Sequence, residues 1–153
     1  MKKYILAVAV VMLVVAMAGM AMAATQTVAV SANVVGVCHF LTGGSVNFSL
    51  DPSIGGNVNG TITQPTFWCT RGTSWGITDD SGTHELAAGS RRMQHATSTT
   101  DFMPYSFTYT TTGTGSGPGT SINMDIASTV IAADYLNALA GDYADTVTLT
   151  ILP

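Results

Sequence analysis

The chain has 153 residues, of which 46% are hydrophobic and only 9% charged, with five Lys and Arg against nine Asp and Glu. Both lysines, Lys2 and Lys3, stand at the start, so beyond residue 23 the formal net charge is −6, from three cations (Arg71, Arg91, Arg92) and nine carboxylates. A lysine-free acidic chain of this kind excludes nucleic acid and anionic membranes as partners, because both demand clustered Lys and Arg.

Residues 1–23 have the form of a signal peptide. Lys2 and Lys3 give a positive start, Tyr4 to Met20 is apolar, and Ala21-Met22-Ala23 is a small-x-small cleavage site. The apolar run is also long enough to span a bilayer, so an uncleaved anchor is the competing reading. About 130 residues remain, enough for one domain with its own core. Their richness in Thr, Ser, Gly and Val suits short strands and turns.

Thr25 to Val34 alternates, with Val28, Val30, Ala32 and Val34 on one face of an extended strand. No hairpin turn ties this segment to the next, so it either pairs within its own domain or is lent to a neighbour. Cys38 and Cys69 form an even pair in an exported chain and read as a disulfide. Val46, Phe48 and Leu50 share a strand face, which Asp51-Pro52 ends. Asn59-Gly60 reads as a turn before Thr61–Thr63, and Pro65 precedes Phe67-Trp68-Cys69.

Ser74 to Thr78 is a short strand closed by the turn signal Asp79-Asp80-Ser81-Gly82. Arg91 to Gln94 reads as strand. Tyr105 to Tyr109 is the clearest β run of the middle, its aromatics on one face. Thr112 to Gly119 reads as a mobile hairpin loop, and Ile131 to Ala140 admits one or two helical turns. Asp142 to Ile151 ends the series as a half-buried strand with Val147, Leu149 and Ile151 on one side. Short strands separated by turn signals predict an all-β sandwich.

Catalytic and metal-binding patterns are missing. His39, His84 and His95 are scattered without ligand spacing, and Cys38 and His39 point to opposite strand faces. Gly113-Thr-Gly-Ser-Gly117 lacks both the Lys and the helix of a phosphate loop. Asp79-Asp80 has too few companion oxygens for a cation. Arg91-Arg92 could grip a carboxylate, but a polar turn or surface ion pair is the simpler reading. The sequence therefore predicts no enzyme, no cofactor and no metal.

In order along the chain stand the alternating Val28–Val34 segment before Cys38, Val46-Asn-Phe48 with Asp51-Pro52, and Gly60-Thr-Ile62 leading to Trp68-Cys69. Arg91-Arg92-Met93, Pro104-Tyr105 and the ending Gly141-Asp-Tyr143-Ala-Asp145-Thr-Val147 follow. With these features the chain resembles the spore coat U domain proteins, which include the major subunits of archaic chaperone–usher pili. Phe67-Trp68 and the glycine-rich 113–119 segment depart from the family pattern.

The resemblance implies an incomplete immunoglobulin-like sandwich that lacks its last strand, in agreement with a chain that has only Leu152 and Pro153 after Ile151. It further implies donor-strand exchange. Residues 24–34 would be the donor, entering through Val28, Val30, Ala32 and Val34, and residues 35–153 the pilin domain. Tyr143, Val147, Leu149 and Ile151 would flank the acceptor groove. The implied partners are like pilin subunits, a periplasmic chaperone and an outer-membrane usher. The implied role is a cell-surface pilus subunit supporting adhesion and biofilm formation; a secreted coat or matrix protein, or an adhesive module, are the alternatives.

Overall fold

The computed structural model describes residues 23–153. The signal-peptide expectation falls on residues outside this range, save Ala23. Among the described residues no helix is long and apolar enough to cross a membrane. Residues 34–153 make one unit, to which residues 23–33 do not belong.

Among the described residues, alternation of inward and outward side chains produces fourteen short strands, and one helical turn accompanies them. The first half holds β1 (Cys38–Thr42), β2 (Ser45–Asn47), β3 (Val58–Asn59), β4 (Thr61–Thr63), β5 (Thr66–Cys69) and β6 (Ser74–Asp79). Next come β7 (Arg92–His95), β8 (Phe102–Pro104), β9 (Ser106–Thr108), β10 (Thr112–Thr114), β11 (Ile122–Asn123) and β12 (Ala127–Val130). The chain finishes with α1 (Ala132–Tyr135), β13 (Tyr143–Ala144) and β14 (Leu149–Leu152). The single turn of α1 is the helix expected after Ile131.

Every strand pair is antiparallel. One layer runs from β1 and β2, through the β3–β5 run, to β11 and β12 and then β9. The other is built on the β13–β14 run, with β13 paired to β7 and β14 to β6, while β8 and β10 lie outside. Between β8 and β9 the chain leaves one layer for the other at Tyr105, a corner of the kind sandwiches use to join their sheets. The result is an open, immunoglobulin-like β-sandwich.

The core follows from the alternation. Phe67 and Cys69 point inward from β5 and meet Trp75 and Ile77 from β6. Phe67 and Trp75 pack edge to face with centroids 4.9 Å apart, an arrangement favoured by the ring quadrupoles. Met124 and Ile126 complete this cluster, and Met103, Val130 and Tyr135 form a second. Cys38 and Cys69 are joined by a disulfide that fixes β1 to β5.

Three turn or loop expectations are overturned. Asn59-Gly60 is no reversal but a break inside one strand run, where the Gly60 N–H donates to Ser128 O at 2.9 Å. Asp79 to Gly82 is a bulge: Asp79 and Asp80 carboxylates accept from Ser81 N–H and Gly82 N–H, and pairing with the last strand resumes at Thr83 N–H to Thr146 O. The local chemistry of an Asp-rich turn is identical in a bulge, so sequence does not distinguish them. The 113–119 segment is tied down rather than mobile. Thr112–Thr114 pairs with β6, Gly115 N–H donates to Thr73 O, and Gly117 N–H to Cys69 O. Glycine serves here for close approach, since a Cβ at Gly115 would stand 2.4 Å from Thr70 O.

Two stability predictions follow from this packing. Cys38→Ser/Cys69→Ser opens a 31-residue loop and should lower stability by about 3–4 kcal/mol on chain-entropy grounds, read as a fall in urea midpoint. Gly115→Ala meets backbone that cannot move aside and should cost roughly 1–3 kcal/mol in the same measurement.

Candidate functional site

The segment before the domain forms no strand. Residues 23–37 carry no ladder pairing, and Val28, Val30 and Val34 are 82%, 91% and 80% exposed. An extended segment becomes a strand only when another edge receives its N–H and C=O groups, and within this chain Thr25–Val34 has no such edge. Hydrogen bonding begins at the next residues. Thr70 Oγ1 donates to Val35 O at 3.3 Å, Val37 N–H donates to Thr70 Oγ1 at 3.1 Å, and Thr70 N–H donates to Val37 O at 2.8 Å.

On one side of the sandwich both layers end in unpaired strands. β1 and β2 pair on one side only, with β5 and β4, and β13 and β14 likewise with β7 and β6. Between these edges lies a groove of about 800 Å³. Its walls are residues 40–48 and 143–147 with Leu149, and Met93, Tyr105, Phe107 and Ile126 also line it. Phe40, Val46, Phe48, Tyr143, Val147 and Leu149 are all half-buried, each turned inward by strand alternation. Large apolar side chains left half-covered along two unpaired edges make a surface that water disfavours.

Of the residues singled out from sequence, Tyr143, Val147 and Leu149 line this groove. Ile151 shares their strand face but packs against the Phe67–Trp75 core, outside the lining. Sequence reasoning missed the opposite wall, although Val46 and Phe48 were visible as an apolar strand face. It also missed Asp145, which lines the groove between Tyr143 and Val147.

Asp145 is the one acidic side chain on the inward face of that wall, and its side chain is only 3% exposed. Burying a carboxylate is tolerable when it is fully hydrogen-bonded. Tyr105 Oη donates to Asp145 Oδ2 at 2.7 Å, Thr83 N–H donates to Oδ1 at 2.9 Å, and His84 Nδ1 stands 3.3 Å from Oδ1. The Tyr105 hydroxyl is pushed well above the usual phenol range, first by burial and then by its bond to Asp145.

A second polar cluster braces the groove. Arg91 Nη2 donates to Asp79 Oδ1 at 2.5 Å, Tyr109 Oη donates to Oδ2 at 2.6 Å, and the Arg91 guanidinium lies 5.3 Å from the Phe107 ring centroid. Only 12% of the Arg91 side chain and 10% of Asp79 are exposed, so the polar-turn or surface-pair reading of Arg91 is corrected: the pair is largely withdrawn from solvent. Arg92 acts separately, stacked 3.7 Å over Phe102 and donating from Nε to His84 O. Burial alone would raise the Asp79 carboxyl, but the bonds from Tyr109, Arg91 and Ser81 N–H bring it below its ordinary 3.8. Tyr109 is pushed up to about 12, by burial first and then by its bond to Asp79.

The family model described as the Spore Coat Protein U domain matches residues 24–150. The chain belongs to the Spore Coat Protein U domain family. The match takes in both the exposed N-terminal segment and the walls of the groove. This Spore Coat U domain is also similar to a chain in the crystal structure of a chaperone–tip adhesion subunit pre-assembly complex from archaic chaperone-usher Csu pili of Acinetobacter baumannii. That similarity has 20% identity and a TM-score of 0.48, and spans 77% of this chain but 40% of the other. No curated protein matches the sequence. Among the described residues, no three His, Cys, Asp or Glu side chains of the Spore Coat U domain gather as a metal ion would require.

The Asp79–Tyr109 pair sets a pH window. Asp79, with a lowered folded pKa, contributes stability above about pH 4 that is lost as pH falls further. Tyr109, with a raised one, contributes stability below its ordinary 10.0 that is lost as pH rises towards 12. Urea midpoints across pH should therefore fall at both ends, with Asp79→Asn flattening the acid limb and Tyr109→Phe the alkaline one.

Proposed function

We propose that this chain is a structural subunit of a cell-surface pilus, assembled by donor-strand exchange between copies. The observation that carries the reading is a complementary pair within one sequence: a groove between two unpaired sheet edges, and an exposed apolar segment without a strand partner. A strand added to such an edge gains backbone hydrogen bonds along its length, with alternate side chains buried in pockets.

In this reading residues 24–34 are the donor, with Val28, Val30, Ala32 and Val34 facing inward, and the pilin domain begins at Val35. The bonds of Val35 and Val37 to Thr70 support that boundary. Full burial of each valine contributes about 1.5–3 kcal/mol. That gain and the new ladder together exceed the ordering cost of a free segment. Tyr143, Val147 and Leu149 flank the acceptor groove; Ile151 anchors the end of the same strand.

Before assembly the groove needs a temporary occupant. A periplasmic chaperone lending a strand meets that need, and an outer-membrane usher would be where the next subunit replaces it. Such export ends at the cell surface, where a polymer of this subunit supports adhesion and biofilm formation. The role is structural and needs no catalysis, metal or cofactor.

Deleting residues 25–34 tests the reading. The truncated chain should still bind a chaperone and still accept a donor from an intact subunit, yet donate none, so fibres shorten or vanish by electron microscopy. Val30→Asp should do the same while sparing chaperone binding. Normal fibres from the truncated chain alone would refute donor-strand exchange.

A further inference from the structure

Resting on the donor-strand reading, we propose that Asp145 fixes the register in which the N-terminal segment of a second copy enters the groove, by demanding Ala32 opposite it. Four groups on the β13–β14 wall face the groove at two-residue spacing: Tyr143, Asp145, Val147 and Leu149. Three are aromatic or aliphatic and one is a carboxylate. The donor offers four inward positions at the same spacing, Val28, Val30, Ala32 and Val34. Three are valine and one is alanine.

The two patterns match in one arrangement. Every strand pair in the domain is antiparallel, and an antiparallel donor can set Val34 against Tyr143, Ala32 against Asp145, Val30 against Val147 and Val28 against Leu149. All four positions are then filled, and the smallest donor side chain sits over the carboxylate. A two-residue slip sets a valine over Asp145 and leaves one wall position uncovered. A parallel donor occupying all four positions places Val30 over Asp145 and wastes Ala32 on Val147.

Space and polarity both make Asp145 selective. Its carboxylate is held by Tyr105 Oη, Thr83 N–H and His84, and Tyr105 itself lines the groove. A branched apolar side chain at that point would press on Tyr105 and crowd the bonds that keep a buried charge satisfied. Register in a flat, valine-rich strand is otherwise weakly specified, because one valine resembles the next. A single odd position on each partner removes the ambiguity.

Outward-facing positions provide the test. In the proposed register Ser31 of one copy lies directly opposite Thr146 of the next, whereas slips of two residues bring it opposite Ala144 or Thr148. Full-length Ser31→Cys/Thr146→Cys chains, exported by the cell that makes them, should give fibres whose subunits form a covalent ladder on non-reducing gels. The Ser31→Cys/Ala144→Cys and Ser31→Cys/Thr148→Cys chains should give fibres without that ladder. A ladder from either slipped pair would overturn the register and leave donor exchange standing. Fibres with no ladder from any pair, or a cross-link confined to monomer size, would overturn both. Ala32→Leu should independently cut fibre yield by about tenfold or more, on the usual cost of overpacking, while Val28→Leu, paired with Leu149 near the groove's end, should cut it far less. Equal losses from the two changes would count against a special role for position 32.

Discussion

The constraint on which the structure depends is that a strand edge must have a partner. Backbone N–H and C=O groups along β1, β2, β13 and β14 face open space on one side, and the side chains between them are only half-buried. In most domains these groups would be covered by a further strand of the same chain. Here the edges are left open, and the sandwich is held by what remains: an aromatic pair at its centre, a disulfide, and two buried carboxylates with their donors.

Those carboxylates have a structural logic of their own. An apolar groove flanked by flexible strands tends to collapse on itself, hiding its surface at the expense of its shape. The Asp79–Arg91–Tyr109 cluster fixes the backing of Phe107, and Asp145 fixes Tyr105. Polar contacts are directional where apolar ones are not, so they hold the lining in place while the groove is empty. A buried ion pair contributes little net stability compared with apolar packing. Its value here lies in geometry.

Much of this was legible in the residues. The alternation of Tyr105, Phe107 and Tyr109, and that of Val147, Leu149 and Ile151, specifies strand faces without further information, and the spaced cysteines specify their bond. What stayed hidden depends on contacts distant in sequence. That Val46 and Phe48 face Tyr143 and Val147 across a gap is a property of topology. Asp145 stood in the sequence only as one position of the Gly141–Val147 ending, and its contacts with Tyr105, Thr83 and His84 join residues far apart in the chain. Glycines misled in the other direction: in 113–119 they signalled looseness, but they permit Gly115 to lie against the backbone of Cys69 and Thr70.

The position of the disulfide has a mechanical consequence. Cys38 is the first residue of the first strand, one peptide bond beyond the Val37 that precedes the sandwich. Tension pulling on residues 24–34 meets only the bonds of Val35 and Val37 to Thr70 before it arrives at Cys38, ahead of the rest of the β1 ladder. The bond to Cys69 passes that load at once into β5, a central strand held on both sides by β1 and β11. A subunit pulled by its leading segment is therefore loaded through a covalent link into its core, and β1 is spared from being peeled away one hydrogen bond at a time.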